Sequence, residues 1–231
     1  MVSTNFAKQF TKQGTFNSKP FWFCFTLLSS FISIGFNSAN AGEFNHVINI
    51  GDPLPAFSNL PSVKDKTFSS NDFKEDILVL VSLSNNCPFS RGAEKDIVDL
   101  VNTFKDESVR VVGVSYNLHE NDLMPAMKDR AKAKGFNFTY LRDDSQALGR
   151  ALGTSVTPEF YIFDKERRLI YMGVMFDSPA MAQSEDKTVY MRGEITERYV
   201  DSAILRTLAG KDVSTTETKP YGCSVEYRRE D

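Results

Sequence analysis

The sequence has few of the residues that most metal sites and catalytic triads need. Its 231 residues include only three cysteines and two histidines. The histidines, His46 and His119, lie far apart without the spacing of metal ligands, so we expect a surface or capping role for each and no metal site. His119 does stand close to Glu120 and Asp122, but acidic residues are typical of a helix start and need no bound cation. A glycine-rich phosphate loop and a Ser-His-Asp pattern are also missing.

Excess positive charge is missing as well. The chain has 27 Lys and Arg residues against 30 Asp and Glu residues, a net charge of −3. Three of the lysines and none of the acids fall within residues 1–41, so the remainder is more acidic still. We therefore expect no binding of nucleic acid or of anionic lipid. Without residues 1–41, roughly 190 residues remain, which suit one globular domain with a sizeable core.

The amino terminus has the pattern of a cleaved export signal. A basic region, an uncharged apolar run and a small-x-small site follow one another, namely Lys8, Lys12 and Lys19, residues 21–36, and Ala39-Asn40-Ala41. The apolar run is too short to span a bilayer comfortably. We expect residues 1–41 to be a signal peptide, with membrane contact only before cleavage. The mature chain would begin at Gly42 in the periplasm or outside the cell, where disulfides persist.

Strands and helices alternate along the rest of the chain. Residues 76–83 and 109–116 are apolar runs rich in β-branched residues, which predict strands covered on both faces. Between them Ala93, Ile97 and Leu100 recur at helical spacing, so this region predicts a βαβ unit with a right-handed crossover. Further expected elements are a helix over 122–134, a strand over 138–141, a helix over 145–152, strands over 159–164 and 168–174, and a helix over 195–208 capped by Gly210. The pattern predicts an α/β sandwich with a mixed sheet.

Cys87 stands where such a sheet usually carries its site. In "SLSNNCPFSRG" it directly follows the first strand and precedes a helix. A cysteine at a helix amino terminus faces unpaired N–H groups and the positive end of the helix dipole, which favour the reactive thiolate. Pro88 suits the first helical turn, and Arg91 would add a positive charge if it points back. We favour a reactive Cys87 over the alternative of an inert core cysteine.

The order of elements, the Cys87-Pro88 turn and Thr157-Pro158 before a strand resemble the thioredoxin-like redoxin domain. This group includes the thiol–disulfide oxidoreductases and the alkyl hydroperoxide reductase/thiol-specific antioxidant proteins, and the resemblance covers residues 51–210. It implies a three-layer sandwich with a central mixed β-sheet flanked by helices. It also implies that Pro158 is cis and packs against Cys87. The tail "ETKPYGCSVEY" is similar to that of exported members, so residues 42–211 would form the domain and residues 212–231 its tail.

The chain departs from both branches of the group. Ser90 occupies the position of the second cysteine in the Cys-x-x-Cys motif of thioredoxins. Peroxiredoxins carry a proline seven residues and a threonine or serine three residues before their cysteine, and here Leu80 and Ser84 fill those positions. Cys223 is the candidate for the missing thiol, because the turn-prone "KPYGC" could fold the tail back. It could be a resolving residue, form a permanent structural disulfide with Cys87, or never meet it.

We therefore expect an exported oxidoreductase that acts by thiol–disulfide exchange through Cys87, with a protein thiol or disulfide as substrate and an unidentified reductase as partner. Such exchange needs no cofactor. A hydroperoxide reductase, in which Cys87 is oxidised to sulfenic acid, is the second hypothesis. A non-catalytic binding module is the third. The methionine-flanked insertion over residues 176–194 could cover the site, contact a partner or simply pack.

Overall fold

A computed structural model describes residues 42–229, so the expected signal peptide lies outside the described residues. The described residues all belong to one compact unit. Its strands are β1 (Leu60–Pro61), β2 (Thr67–Phe68), β3 (Ile77–Ser82), β4 (Val109–Ser115), β5 (Thr139–Arg142), β6 (Val156–Thr157), β7 (Glu159–Phe163), β8 (Leu169–Gly173), β9 (Ala180–Ser184), β10 (Lys187–Tyr190) and β11 (Cys223–Ser224). Its α-helices are α1 (Pro88–Thr103), α2 (Met124–Ala133), α3 (Ala147–Leu152) and α4 (Tyr199–Leu208).

The central sheet is mixed, as the sequence predicts. Its strands lie in the order β5-β4-β3-β7-β8. β3 pairs in parallel with β4, and β4 with β5, whereas β7 is antiparallel to both β3 and β8. β3 is therefore bonded on both edges, and its carboxyl end lies in the middle of the sheet. In residues 42–229 no helix combines the length and the apolar character that a bilayer crossing requires.

Alternation along β3 divides the core into two layers. Ile77, Val79 and Val81 point into a layer formed with α1, α2 and α4. Leu78 and Leu80 point to the opposite face, where α3 and the amino-terminal segment cover the sheet. All of these side chains are at most 1% exposed, which explains why the strand reads as a continuous apolar run. The predicted three-layer sandwich is confirmed.

Local signals fix the start of α1 and the end of α4. Cys87 is the N-cap of α1, and Pro88 occupies the first turn, where a missing N–H breaks no hydrogen bond. Gly210 has φ +64° after the last turn of α4, as expected of a left-handed cap. The predicted start of this helix at Ile195 is wrong. Asp177 accepts hydrogen bonds from the amides of Thr196 and Glu197 and holds the chain in a loop until Tyr199.

The insertion over residues 176–194 forms an antiparallel hairpin, β9–β10, that packs on α1. The approach is close, because a Cβ atom at Gly92 would lie only 2.7 Å from the amide nitrogen of Met181 and 2.8 Å from the carbonyl carbon of Ala180. Glycine therefore allows the backbone of β9 to rest directly on the helix. The hairpin therefore covers part of α1, the helix that begins at Cys87.

Candidate active site

Cys87 lies at the junction of the central strand and the amino terminus of α1. Its extended backbone (φ −86°, ψ 121°) leaves the thiol facing the first helical turn, where Sγ accepts a hydrogen bond from the amide of Ser90 at 3.4 Å. The thiol donates to the carbonyl oxygen of Thr157 at 3.0 Å, and the Cys87 amide donates to the Ser84 carbonyl at 3.2 Å. Only 2% of the residue is exposed. Cys87 therefore lies at the helix amino terminus, as the sequence predicts.

The loop before β7 lies against the Cys87 thiol and supplies the Thr157 carbonyl that accepts its hydrogen bond. The Thr157–Pro158 peptide bond is cis, as the resemblance implied. Ser82, the last residue of β3, fastens this loop to the sheet: its hydroxyl donates to the Val156 carbonyl and accepts from the Glu159 amide, both at 2.8 Å. No sequence motif marks Ser82 for this role. An exposed face would have been the ordinary place for a serine in an apolar strand, but this one is only 1% exposed.

A buried polar network supports the loop that precedes Cys87. The hydroxyl of Ser84 donates to the carboxylate of Asp122 at 2.7 Å and accepts from the Asn86 amide at 3.2 Å. The Ser84 amide donates to the hydroxyl of Ser90 at 3.2 Å, and the Asn85 amide donates to Asp122. Ser84 and Ser90 are thus brought together next to Cys87. Both are buried, and their hydrogen bonds hold the loop before Cys87 in place.

Asp122 is the acid that sequence analysis treated only as part of a helix start. It is fully buried and lies in a short 3₁₀ turn before α2. Burial raises the pKa of this carboxyl, although hydrogen bonds from Ser84 and Asn85 and the charge of Arg142 act in the opposite direction. The bonding groups of Ser84 and Asn85 are 38 and 37 residues away in sequence, so no local pattern signals them.

The tail folds back over the site and pairs with β6. β11 is antiparallel to β6, with Cys223 opposite Thr157. The Val225 amide continues the pairing by donating to the Ser155 carbonyl at 3.0 Å. At Gly222 the tail backbone touches the loop so closely that a Cβ atom would lie 2.1 Å from the Thr157 carbonyl oxygen. The expected return of the tail across the domain is therefore present.

The return of the tail brings Cys223 against Cys87. Both are free thiols, and the two side chains interact with each other. Burial, followed by this contact with Cys87, raises the pKa of Cys223 to about 12, while the Phe89 amide acts to lower it. Both cysteines line a cavity of about 90 Å³, together with Ser84, Asn86, Asn117, His119, Asp122, Ser224 and Glu226. The alternative in which the two cysteines never meet is wrong.

Residues 50–172 match the profile of the AhpC/TSA family, which is more than half of the chain. The chain belongs to the AhpC/TSA family. Among solved structures, an uncharacterized conserved protein from Geobacillus kaustophilus is 26% identical, with a TM-score of 0.70 over 81% of this chain and 96% of that one. A hypothetical protein from Sinorhizobium meliloti 1021 is 27% identical, with a TM-score of 0.69 over 80% of this chain and 98% of that one. No curated protein matches the sequence.

These comparisons and the sheet confirm the thioredoxin-like redoxin fold. The AhpC/TSA match ends at residue 172, so both the β9–β10 hairpin and the tail with Cys223 lie beyond the matched region. The two solved relatives are similar over a longer part of the chain. Membership of the AhpC/TSA family places the chain among the redoxins.

Arg91, one turn after Cys87, carries its charge away from the thiol. Its guanidinium pairs with Glu185 at the tip of the hairpin and does not line the cavity beside Cys87. Glu185 also accepts contacts from Arg130 and Lys134 on and after α2. The charge of Arg91 is therefore used to hold the hairpin on the helices, and the idea that it points back at the thiol is wrong.

The hairpin and the tail form an apolar groove beside Pro158. Phe89, Phe176 and Pro158 line it, and the ring of Tyr221 closes it in an edge-on contact with Phe89 at 5.2 Å between ring centroids. With Tyr221 in place, only about 20 Å³ of free space remains. The methionines around the insertion differ in role. Met172 and Met175 are buried, Met181 is partly buried and Met191 is 45% exposed.

The remaining candidate residues have structural roles. His119 caps the turn before α2, since its Nδ1 accepts from the Asn121 amide at 3.1 Å, and His46 is exposed. Asp122 is turned inward, so it does not join His119 and Glu120 in a cation site. Across residues 42–229, the His, Cys, Asp and Glu side chains form no group of three or more that could hold a metal ion.

Proposed function

We propose that this chain is an exported thiol–disulfide oxidoreductase in which Cys87 attacks a protein disulfide and Cys223 resolves the product. The observation that carries the proposal is the contact between the two free thiols at the amino terminus of α1. An inert core cysteine would need neither a second thiol beside it nor a position at a helix amino terminus. Membership of the AhpC/TSA family supports the same class of chemistry.

The first step uses the thiolate of Cys87. Its Sγ attacks one sulfur of the substrate disulfide, the substrate S–S bond breaks, and a mixed disulfide forms between Cys87 and the substrate. The other substrate sulfur leaves as a thiolate and takes up a proton. Cys87 is the attacking residue because it lies at the amino terminus of α1, whereas burial and the contact with Cys87 raise the pKa of Cys223 to about 12.

The second step uses Cys223. Formation of the mixed disulfide removes the part of the raised Cys223 pKa that Cys87 causes, while displacement of the tail by the substrate would expose Cys223 and reduce the part that burial causes. The Cys223 thiolate attacks Cys87 Sγ, forming the Cys87–Cys223 disulfide, and the substrate sulfur leaves as a thiolate that takes up a proton. Two electrons pass from the protein dithiol to the substrate. A dithiol reductase must return them, and the same steps in reverse would oxidise a substrate dithiol.

Reduction of hydroperoxides is a second candidate, favoured by the cavity of about 90 Å³ beside Cys87. A hydroperoxide small enough to enter would react with the Cys87 thiolate: its O–O bond breaks, one oxygen forms the sulfenic acid on Cys87, and the other leaves as an alcohol after taking a proton from solvent. Attack by Cys223 would then release water and form the same disulfide. Peroxide consumption by wild type and by Cys87→Ser separates the candidates, because turnover that depends on Cys87 with several hydroperoxides supports the peroxidase.

The proposal is tested by redox titration of the chain from Gly42 against defined dithiothreitol buffers. Free thiols are trapped by alkylation and counted by intact mass. An exchangeable catalytic pair is expected to open at a potential well above about −300 mV. A disulfide that resists the most reducing buffers would identify a structural staple, and two labels in every buffer would refute the resolving role.

Matched cysteine variants assign the roles. In Cys223→Ser, a disulfide-containing substrate protein is expected to remain attached to Cys87 as a mixed disulfide, visible as added mass under non-reducing conditions. Cys87→Ser retains Cys223 and is expected to trap nothing. Trapping by Cys87→Ser but not by Cys223→Ser would reverse the assignment.

Export and partners are part of the same proposal. The lysine-containing amino terminus, the apolar run and the Ala39-Asn40-Ala41 site support cleavage before Gly42. Amino-terminal sequencing of exported protein is expected to begin at Gly42, and a start at Met1 or Val2 would support a retained anchor. The expected partners are a protein disulfide substrate and a dithiol reductase, both in an oxidising compartment.

A further inference from the structure

The tail is held on the site by the kind of pairing that one protein offers to an extended segment of another. β6 is a two-residue strand outside the central five-stranded sheet, and β11 is its partner. Cys223 lies opposite Thr157, and the Val225 amide donates to the Ser155 carbonyl. Main-chain hydrogen bonds of this type can be made by any extended segment, so they provide affinity without fixing its side chains.

At the two positions before Cys223, contacts with the protein select particular side chains. Gly222, one residue before the cysteine, faces the Thr157 carbonyl so closely that a methyl group would overlap it, with a distance of 2.1 Å. The obstructing atoms are backbone, and they belong to the loop fastened by Ser82, so they cannot rotate away. Glycine is the residue that this position accepts.

Tyr221, two residues before the cysteine, fills the apolar groove. Its ring meets Phe89 edge-on at 5.2 Å, and the guanidinium carbon of Arg192 lies 5.9 Å from the ring centroid. Pro158 and Phe176 form further walls. An aromatic ring is suited to this groove by its flat shape, its apolar area and its attraction to the arginine charge.

With the tail in this position, a protein substrate cannot reach the thiol. Cys87 is 2% exposed, and the cavity beside it admits only a small molecule. The tail is attached on both sides of the pairing: the Thr218 amide donates to the Met172 carbonyl at 3.0 Å, and Gln146 binds the backbone of Glu226 at 2.7 Å. A protein substrate can therefore reach Cys87 only if the segment between these attachments lifts from β6.

We propose that residues Tyr221–Cys223 stand in the substrate position, and that the protein substrate of Cys87 is an extended segment in which an aromatic residue and a glycine precede the reacting cysteine. This inference rests on the proposed thiol–disulfide exchange and specifies its substrate. The substrate segment replaces the tail on β6 and presents its disulfide sulfur to Cys87. After the mixed disulfide forms, the substrate segment leaves β6 while it is still joined to Cys87, and the tail returns to β6. Cys223 then attacks Cys87 Sγ, the Cys87–substrate bond breaks, and the substrate thiol is released.

The test uses synthetic peptides in place of the unidentified substrate. The peptide KPYGCSV, identical to residues 219–225, carries thionitrobenzoate on its cysteine as a mixed disulfide. Cys87 attacks the peptide sulfur, the S–S bond to thionitrobenzoate breaks, and the coloured thiolate leaves while Cys87 and the peptide remain joined. The full mature chain with Cys223→Ser is used, so that no second thiol removes the peptide. KPYACSV and KPAGCSV, treated identically, are the matched controls.

KPYGCSV is expected to react with Cys87 at least about tenfold faster than either control at concentrations below saturation, the ratio that corresponds to about 1.4 kcal/mol. Adding Gly222→Ala to the protein, which prevents the tail from seating, is expected to raise the rate with KPYGCSV and preserve the order of the three peptides. Tyr221→Ala provides the same test if the first variant does not fold. Equal rates for the three peptides, or no gain in rate from either tail variant, would overturn the inference.

Oxidised glutathione separates the failure of this inference from that of the proposed function. If Cys87 reacts with oxidised glutathione but shows no preference among the peptides, the substrate inference fails and the exchange chemistry stands. If Cys87 of the folded protein reacts with neither glutathione nor any peptide, both proposals fail.

Discussion

Replacement of Ser82 by alanine tests whether the loop that contacts Cys87 depends on one buried hydroxyl. The side chain accepts from the Glu159 amide and donates to the Val156 carbonyl, each at 2.8 Å, on either side of Thr157-Pro158. Alanine fits the same space but removes both bonds. Since Ser82 is 1% exposed, water cannot readily take the place of the hydroxyl.

The expected loss of stability follows from the two groups that would lose their partner, the Val156 carbonyl and the Glu159 amide. A buried donor or acceptor without a partner costs about 1–3 kcal/mol, so the pair predicts a loss of about 2–6 kcal/mol in the free energy of unfolding. This is a large share of the roughly 5–15 kcal/mol that stabilise a typical domain. The Thr157 carbonyl would also be held less firmly, and Cys87 should be alkylated faster.

Urea unfolding of the mature chain measures the first effect, and iodoacetamide labelling in a Cys223→Ser background measures the second. Ser108→Ala is the matched control, because Ser108 is exposed and its hydroxyl accepts a single bond, from the Asp76 amide at 2.8 Å. It should cost less than about 1 kcal/mol, since water can replace that bond. If the two variants have the same stability within error, Ser82 does not fasten the loop as we describe.

Three further predictions concern the hairpin and the buried acid. Gly92→Ala should destabilise the protein by about 1–3 kcal/mol, because the new methyl group would collide with the backbone of β9. This loss is expected although alanine is a better helix former than glycine by about 1 kcal/mol. A variant that is more stable than wild type in urea unfolding would refute this contact. Glu185→Gln should cost less than about 1 kcal/mol, and the cost should shrink in high salt, since the ion pairs are largely exposed; an undiminished loss would point to a different role. Burial raises the pKa of Asp122, so the folded state binds this proton more tightly than the unfolded state, and the contribution of the carboxyl to stability falls as pH rises from its ordinary pKa through the raised one. The stability of Asp122→Asn relative to wild type should therefore rise across that range, and a difference independent of pH would contradict this.

Much of the central fold could be predicted because its signals are local or periodic. The apolar run of β3 reports burial on both faces, and the Cys87-Pro88 pair marks the start of α1. The cis Thr157-Pro158 bond followed from resemblance and could not have been derived from spacing. The return of the tail was predicted from turn-prone residues, but its pairing with β6 could not be, since a two-residue strand has no periodicity.

The errors arise where a side chain binds a distant part of the chain. Arg91 would be free to face Cys87 if only its own helix were considered, but the hairpin brings Glu185 to it from 94 residues away. Asp177 delays the start of α4 by binding amides 19 and 20 residues ahead. Asp122 looks like an ordinary helix-start acid until Ser84 and Asn85 approach it. Each partner is chosen by tertiary packing, which a single sequence does not display.

The double-sided pairing of β3 has a consequence for hydrogen exchange. Its amides lie between β4 and β7 under two apolar layers, so they should exchange with solvent only when the whole domain unfolds. The Val225 amide, by contrast, is protected by one short pairing and should exchange whenever the tail lifts. Cys87 thus lies five residues beyond a strand that should exchange only on global unfolding, and beside a tail that should exchange by local opening. Its sulfur would be uncovered on the timescale of the tail, while the strand before it keeps the lifetime of the core.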